Sequence, residues 1–469
     1  MNTRKLTDQA ATIRQAFGYI ARFKGRTFVI KIDDRLLGNR FFPLLIRDIA
    51  SLHQLGIRIV LVPGARTRID ELLERFGQTC RTARGTRVSS ADAMPFIEMA
   101  ASDVSSRIMT LLAESSVHAV VGNWVRARAI GVRGGVDYQR SGLVESLACD
   151  MVRNVLDDNV VPVFPNIGWS ASGTPYNISS DDLALAVARE LSAAKLFFVL
   201  EADAFTAPQV RVPDGATVNE DGVVSGLTVK QAEGFVKLNR AGRKRPLGLE
   251  LVEHAVQACK AGTARVHILD GRIEGVMLKE IFSNRGVGTM VYANEHDNIR
   301  PATRADIPEM LRIMQRPTRQ GIILPRTAEQ IDRALKDFVV YEVDGTLHGC
   351  AALHRLGGTQ AEVAALVVDG AYAGLGTGRK IVTFLLEKAR AAGMGRVFVL
   401  TTQASDWFVK LGFRAARPAD LPKQRREAYD RKRSSRVLAC TLRRRGTTRR
   451  LAVDDRVHAV GDRLVDDRL

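Results

Sequence analysis

From Thr27 onward the chain alternates short runs of β-branched and aromatic residues with longer amphipathic stretches. TFVIKI and IRIVLV are separated by FFPLLIRDIASLHQLG, whose apolar positions recur at helical spacing, and VVPVF and AAKLFFVL continue the scheme. Strands alternating with helices need crossover connections, so the pattern predicts a mostly parallel sheet covered on both faces. RVHILDGR and LKEIFSNRGVGTMV end this region, followed by a polar stretch at Glu295-His296-Asp297-Asn298. A fresh pattern starts with IRPATRADIPEMLRIM at Ile299, which places a domain boundary close to 295. The second region runs to about Leu442. It predicts two helices, the hairpin VVYEVDGTLHGCAAL turning at Asp344-Gly345, a strand carrying Glu362, a glycine turn with a long amphipathic helix, the strand RVFVLTT, and WFVKLGF. A central sheet that passes from antiparallel to parallel pairing fits that order.

The length of 469 residues predicts about two to three domains, each able to bury a core. Apolar residues make up 46% and charged residues 26%, a globular composition, and no apolar run approaches the roughly 18–20 residues of a membrane span. A soluble, cytoplasmic protein without a membrane partner is expected. The stretch MNTRKLTDQAATIRQAFGYIARFKG is basic and amphipathic and lacks the apolar core of a secretory signal. It predicts an N-terminal helix over 1–24, and a mitochondrial matrix location stays open for a eukaryotic source. Cys80, Cys149, Cys259, Cys350 and Cys440 are scattered without a CxxC pair, so neither a metal site nor a disulfide framework is expected.

The net charge of +18 lies largely in KQRREAYDRKRSSR (423–436) and RRRGTTRR (443–450). No zinc finger, RNP-like aromatic pattern or helix-turn-helix accompanies it, so a nucleic acid is not an expected partner. An anionic substrate and cofactor account for a basic cleft equally well. The tail, 443–469, mixes Arg and Asp without periodicity and reads as disordered.

The chemistry-bearing motif is AEVAALVVDGAYAGLGTGRKIVTFLLEKARAAG (361–393), a buried strand, a turn holding Gly374, Gly376 and Gly378, and a helix. A glycine turn feeding a helix N-terminus brings backbone N–H groups and the helix dipole to bear on an anion. No Lys-Ser/Thr pair follows the last glycine, as a Walker loop requires. The stretch resembles the coenzyme A loop of the GNAT acyltransferases, Gln/Arg-x-x-Gly-x-Gly/Ala, with Gly370 in place of the usual proline and Ala373 in place of Gln/Arg. The basic contact then falls to Arg379 or Lys380. The resemblance implies that backbone atoms of Ala365, Leu366 and Val367 pair with the pantetheine like an added strand.

Residues 25–292 resemble the amino-acid kinase fold of acetylglutamate kinases, carried by the strand ending in Lys31, VLVPGARTRID, YNISSDDLALAVARELSAAKLFFVL and VHILDGRIEGVMLKEIFSNRGVGTMV. That family has a glycine pair after the lysine, where this chain has Ile32-Asp33-Asp34. Its glycine-rich loop is thinned to Pro63-Gly64-Ala65-Arg66, and its second catalytic lysine falls at Leu251. Two carboxylates would repel a triphosphate there, so no kinase activity is expected. The arginine-sensitive members bind arginine between an N-terminal helix bearing a tyrosine and the segment ending Gly-x-Gly-Thr. The matching residues are Tyr19, Glu280, Ser283, Gly286 and Gly288, with the Glu280 carboxylate expected to pair a guanidinium. The leading helix builds rings in that family, which implies a homo-oligomer, a hexamer among the options.

The order of the two regions is similar to that of the N-acetylglutamate synthases. That resemblance implies a three-layer αβα kinase-like regulatory domain with a mostly parallel sheet (25–295), followed by a GNAT α/β domain (299–442). It implies acetyl transfer from acetyl-CoA to the α-amine of L-glutamate, the first step of arginine synthesis, under feedback by L-arginine. Glu362, in AEVAALVV, matches the family's base. Arg326, in GIILPRTAEQID, and Arg433 with Ser435, in YDRKRSSRVL, match its glutamate-binding positions, while the neighbouring Arg425 and Arg426 read as a solvated basic run. For the leaving thiolate, Phe408 stands where many GNAT enzymes have a tyrosine, so Thr401 or Tyr429 is the candidate acid. The competing readings are a bifunctional synthase and kinase, a GNAT enzyme acting on another amine, and an arginine-sensing binding module.

Overall fold

The computed structural model describes residues 16–219, 221–240, 246–282, 287–293, 299–343, 346–369 and 376–442. Ser283, Gly286, Gly374, the Asp344-Gly345 turn and the tail from 443 lie outside them. The fold divides into two compact units, one made of the chain up to Ala352 with Ala365–Ile381, the other of Leu353–Ala364 with the chain from Val382.

In the first unit a nine-stranded sheet runs Thr217–Val218, Val224–Thr228, Thr289–Tyr292, Arg265–Asp270, Lys195–Leu200, Thr27–Ile32, Arg58–Pro63, Val161–Val163, Ala119–Val121. Its central ladders are parallel, for example Phe28↔Lys195 and Thr27↔Arg58, and antiparallel pairs occur only on the side of Thr289–Tyr292 and Thr217–Val218. The apolar runs are continuous because both faces are covered. Phe28, Ile30 and Ile32 enter one apolar cluster with the helix Phe42–Gln54, while Val29 enters another with the helix Leu249–Lys260. Alternate side chains of a strand point to opposite faces, so a run apolar at every position must be buried on both. A four-stranded closed barrel, built around Val125–Ala129 and Ser141–Leu147, is set into this unit.

The first unit also contains Ile299–Pro301 paired antiparallel with Phe338–Val343, which pairs in turn with Thr346–Gly357. The helices Ile307–Arg319 and Ala328–Arg333 cover them through Met310, Ile313, Met314 and Ile331. The second helix starts where its sequence says it should. Thr327 accepts from Gln330 N at 3.3 Å, and Gln330 returns the bond to Thr327 N at 2.9 Å.

In the second unit the start of the strand Gln360–Val368 lies parallel to Arg396–Thr401, in the register Glu362↔Phe398. Arg396–Thr401 pairs antiparallel with Arg436–Thr441, and that strand with Arg414–Ala416. This unit thus combines one parallel pairing with two antiparallel ones. Phe398, Leu421, Val437 and Ala439 form its apolar layer, against which Tyr429 packs.

Candidate active site and effector site

Glu362 is the third residue of its strand, at 6% exposure. A carboxylate so buried needs a partner. Its partner is Arg425, whose Nε donates to Oε2 at 2.5 Å and whose Nη2 donates to Oε1 at 3.0 Å. The guanidinium is only one-fifth exposed, so the reading of Arg425 as a solvated charge is corrected: it closes a two-point fork on the candidate base. The Glu362 carboxylate and burial act in opposite senses on Arg425, and the carboxylate prevails, holding the guanidinium above its ordinary value. Arg426, its neighbour, is exposed.

The other candidates in this unit lie on the adjoining elements. Thr401 ends the strand Arg396–Thr401, and its Oγ accepts from Ala404 N at 3.0 Å and Gln403 N at 3.4 Å, which leaves the hydroxyl proton free to donate elsewhere. Tyr429 has committed its proton, donating to Ser435 O at 2.7 Å. Of the two candidate acids only Thr401 keeps a proton to give. Ser435 is buried, and Arg433 is half-buried in a turn held by Asp430, whose Oδ1 accepts from Lys432 N at 2.9 Å and Arg433 N at 3.3 Å.

In the first unit, Ala365 adopts φ +51°, a left-handed conformation costly for a residue with a Cβ. Leu366 and Val367 follow it on the same strand. Gly376, at φ +74°, needs to be glycine. It leads into the helix Thr377–Ala391, whose first turn carries Gly378, Arg379 and Lys380. Lys380 Nζ donates to Tyr292 Oη at 3.1 Å, whereas Arg379 is exposed to solvent. Between the two basic candidates for an anion, Arg379 is therefore the one in the open. Arg326 is half-buried, with Nη1 donating to Leu324 O at 3.3 Å.

The candidate effector residues cluster on the kinase-like sheet. Tyr19, on the helix through 16–23, packs on Phe23 and edge-on against Phe282, with ring centroids 4.5 and 5.3 Å apart. Lys195 Nζ lies 4.9 Å from both the Tyr19 and Phe23 centroids, a cation–π arrangement at a residue only 2% exposed. Glu280 is buried too, and accepts from His267 Nδ1 at 2.7 Å, Val287 N at 2.9 Å and Gly288 N at 3.2 Å. This carboxylate, the one expected to pair a guanidinium, already accepts from three donors within the fold. At Gly288 a Cβ would come within 2.3 Å of Ile268 O, so only glycine allows the backbone this close. Lys195, His267 and Phe23 escaped the reading of the sequence, because each reads there as an ordinary residue within or beside an apolar run.

Burial pushes the His267 imidazole down, and its bond to Glu280 only partly opposes this. Burial also works against ionisation of Glu280, but the bonds from His267 and the two amides outweigh it and hold the carboxyl below its ordinary value. The signs agree. A neutral His267 in the fold must be protonated as pH falls below its ordinary 6.5, and an ionised Glu280 below 4.5, so both contributions to stability disappear on acidification. Urea unfolding midpoints are expected to fall between about pH 6.5 and 4, and His267→Gln is expected to flatten the upper part of that fall.

The amino acid kinase family model matches residues 26–270 and the acetyltransferase (GNAT) family model residues 307–413. The amino-acid acetyltransferase of Mannheimia succiniciproducens is 30% identical over 439 residues, covering 92% of this chain and 98% of the relative. The chain belongs to the amino-acid acetyltransferase family. A second member, from Neisseria meningitidis serogroup A, is 32% identical over 445 residues, again 92% of this chain and 98% of the relative. Among solved structures, N-acetylglutamate synthase from Neisseria gonorrhoeae complexed with coenzyme A and L-arginine is 32% identical, covers 93% of this chain and 99% of its own, and has a TM-score of 0.75. The same enzyme complexed with coenzyme A and N-acetyl-glutamate gives 0.58.

As an amino-acid acetyltransferase the chain carries a kinase fold followed by a GNAT domain, and the residues at which it departs from the kinase pattern are engaged with one another or with the core. Lys31 is buried and paired with Asp181 at 3.0 Å. Burial alone would lower its pKa, but the charges of Asp181 and Asp33 prevail and hold the ammonium above its ordinary value. Asp33 is forked by Arg35, with Nη2 to Oδ2 at 2.5 Å. Asp34 accepts from Arg68 N at 3.0 Å, in the first turn of the helix Arg66–Arg75, so a carboxylate already occupies that helix N-terminus. Leu251 is buried in the apolar core. Among the described residues no group of three or more His, Cys, Asp or Glu is placed to hold a metal ion, and no helix is long and apolar enough to cross a membrane.

Proposed function

We propose that this acetyltransferase transfers acetyl from acetyl-CoA to the α-amine of L-glutamate, giving N-acetyl-L-glutamate and free CoA, and that L-arginine regulates it. The observation that carries the reading is Glu362, a buried carboxylate three residues ahead of the left-handed Ala365 on one strand. The neighbour from Neisseria gonorrhoeae, with its coenzyme A, N-acetyl-glutamate and L-arginine complexes, supports the substrate and the effector. Residues 25–295 then act as the regulatory part and 299–442 as the catalytic part.

Glu362 takes one proton from the α-ammonium, which leaves an amine able to attack the acetyl carbonyl carbon. The N–C bond forms as the C–S bond breaks. The amine's second proton is lost as the amide forms, and the CoA thiolate gains one from the Thr401 hydroxyl or from water. The balance is one thioester and one ammonium in, one amide, one thiol and one proton out. Backbone atoms of Ala365, Leu366 and Val367 hold the pantetheine, and the turn at Gly376 and Gly378 with Arg379 holds the pyrophosphate. Arg326, Arg433 and Ser435 hold the glutamate carboxylates. Tyr19, Glu280 and Gly288, joined by Lys195, form the arginine site.

A scan of thiol release from acetyl-CoA over the common amino acids, with and without L-arginine, tests this. Glutamate is expected to be the preferred acceptor, and arginine to shift the rate by the equivalent of about 1–3 kcal/mol of coupling. Preference for another amine, or no thiol release, would overturn the assignment. Adding ATP and N-acetylglutamate is expected to release no ADP, because Lys31 is neutralised by Asp181 and Asp34 blocks the helix terminus.

A further inference from the structure

Glu362 is the candidate base, yet in this structure it is not available as one. Each of its oxygens accepts from Arg425, at 2.5 and 3.0 Å, and Arg425 is the hydrogen-bond partner that it has among the described residues. In a two-point fork both carboxylate oxygens are turned to the guanidinium, so neither faces an incoming ammonium. Accepting a proton in place would leave the Arg425 charge, which is one-fifth exposed, without its counter-ion. For Glu362 to act as a base, something else has to satisfy Arg425.

We infer that Arg425 is a further substrate-binding residue, held by Glu362 until a carboxylate of the amino-acid substrate displaces it, so that substrate binding itself frees the base. This rests on the proposed transfer to glutamate. The exchange is even: the substrate carboxylate replaces Glu362 on the same planar fork, and the freed Glu362 carboxylate takes the substrate's own ammonium as its partner, so no charge is left unpaired. The support of Arg425 suits such a move. It sits on a five-residue helix, Lys423–Glu427, anchored by backbone bonds, and its remaining side-chain contact is a single bond from Nη1 to Ala428 O at 3.3 Å. The next turns carry Tyr429, Arg433 and Ser435, with the Tyr429 hydroxyl closing on Ser435 O, so Arg425 belongs to the same stretch as the other candidate carboxylate binders. Selection also follows: an acceptor without a spare carboxylate leaves Glu362 sequestered.

Calorimetric titration of L-glutamate into the full-length protein saturated with coenzyme A tests the exchange. Glu362→Gln removes the internal competitor and is expected to bind glutamate about threefold or more tightly than the natural protein, since Arg425 no longer has to be released. Arg425→Ala is expected to weaken binding by about tenfold or more, and Arg425→Lys by less. In steady state Arg425→Ala raises the KM for glutamate more than it lowers kcat. Glutamate binding to Glu362→Gln that is no tighter than to the natural protein overturns the inference, as does an Arg425→Ala variant with unchanged KM and reduced kcat, which would make Arg425 a positioning residue only. If Arg425→Ala fails to fold, Glu362→Gln and Arg425→Lys decide the matter. Failure of the natural protein to make N-acetylglutamate, with this binding pattern intact, overturns the glutamate reaction and not the exchange.

Discussion

Replacing Glu362 by Gln lowers the rate of acetyl transfer by about 10² to 10⁴, the usual contribution of a positioned general base, while coenzyme A still binds. The amide keeps the shape of the carboxyl and an oxygen that accepts from Arg425, so the buried pair loses its charge without leaving a void. Single-turnover thiol release from saturating acetyl-CoA and glutamate reads the chemical step directly, and calorimetry with coenzyme A checks that the cofactor site is intact. A variant with unchanged single-turnover rate would take the base away from Glu362. Raising the pH is expected to recover part of the lost rate, because a growing fraction of free glutamate is then already the neutral amine. Mere loss of structure would not respond in that way.

Replacing Glu280 by Ala abolishes the response to arginine and destabilises the fold by ~3–5 kcal/mol. The cost follows from three donors, His267 Nδ1, Val287 N and Gly288 N, which lose their common acceptor in a place water does not reach. Urea unfolding measures the stability, and the arginine concentration for half-effect measures the response. Glu280→Gln separates the two, since its amide oxygen still accepts from the backbone N–H groups. It is expected to recover about half of the stability loss while leaving arginine binding weakened by about tenfold or more. Arginine sensitivity that survives both substitutions would remove Glu280 from the effector site.

Much of the architecture was legible because its signals are local. The runs TFVIKI, IRIVLV and AAKLFFVL are apolar at every position because both faces of the sheet are covered, and each becomes a strand close to where the pattern puts it. The Thr327–Gln330 capping pair and the glycine at 376 are equally local, set by residues a few positions apart. The site was legible only in part. Glu362 was singled out through its motif, but Arg425 was misread as solvated, because a guanidinium in a run of basic residues looks the same whether or not a carboxylate lies opposite. Tyr429 looked like a proton donor until its hydroxyl was seen to close on Ser435 O. Glu280 stood out through its segment, but its bonds from His267 and two amides carried no signal in the sequence.

The sequence by itself determined the alternation of strands and helices, the order of a kinase-like and a GNAT region, and the residue types able to do the chemistry. These depend on side-chain period, on turn residues and on short motifs, all of which are written in neighbouring positions. Tertiary structure alone decided which charge meets which. Glu362 and Arg425 are 63 residues apart, Glu280 and His267 are 13, and the pairing of Lys31 with Asp181 joins two different elements of one sheet domain. Charged residues carry no period that announces a partner, and a buried charge takes whichever opposite charge the fold brings within reach.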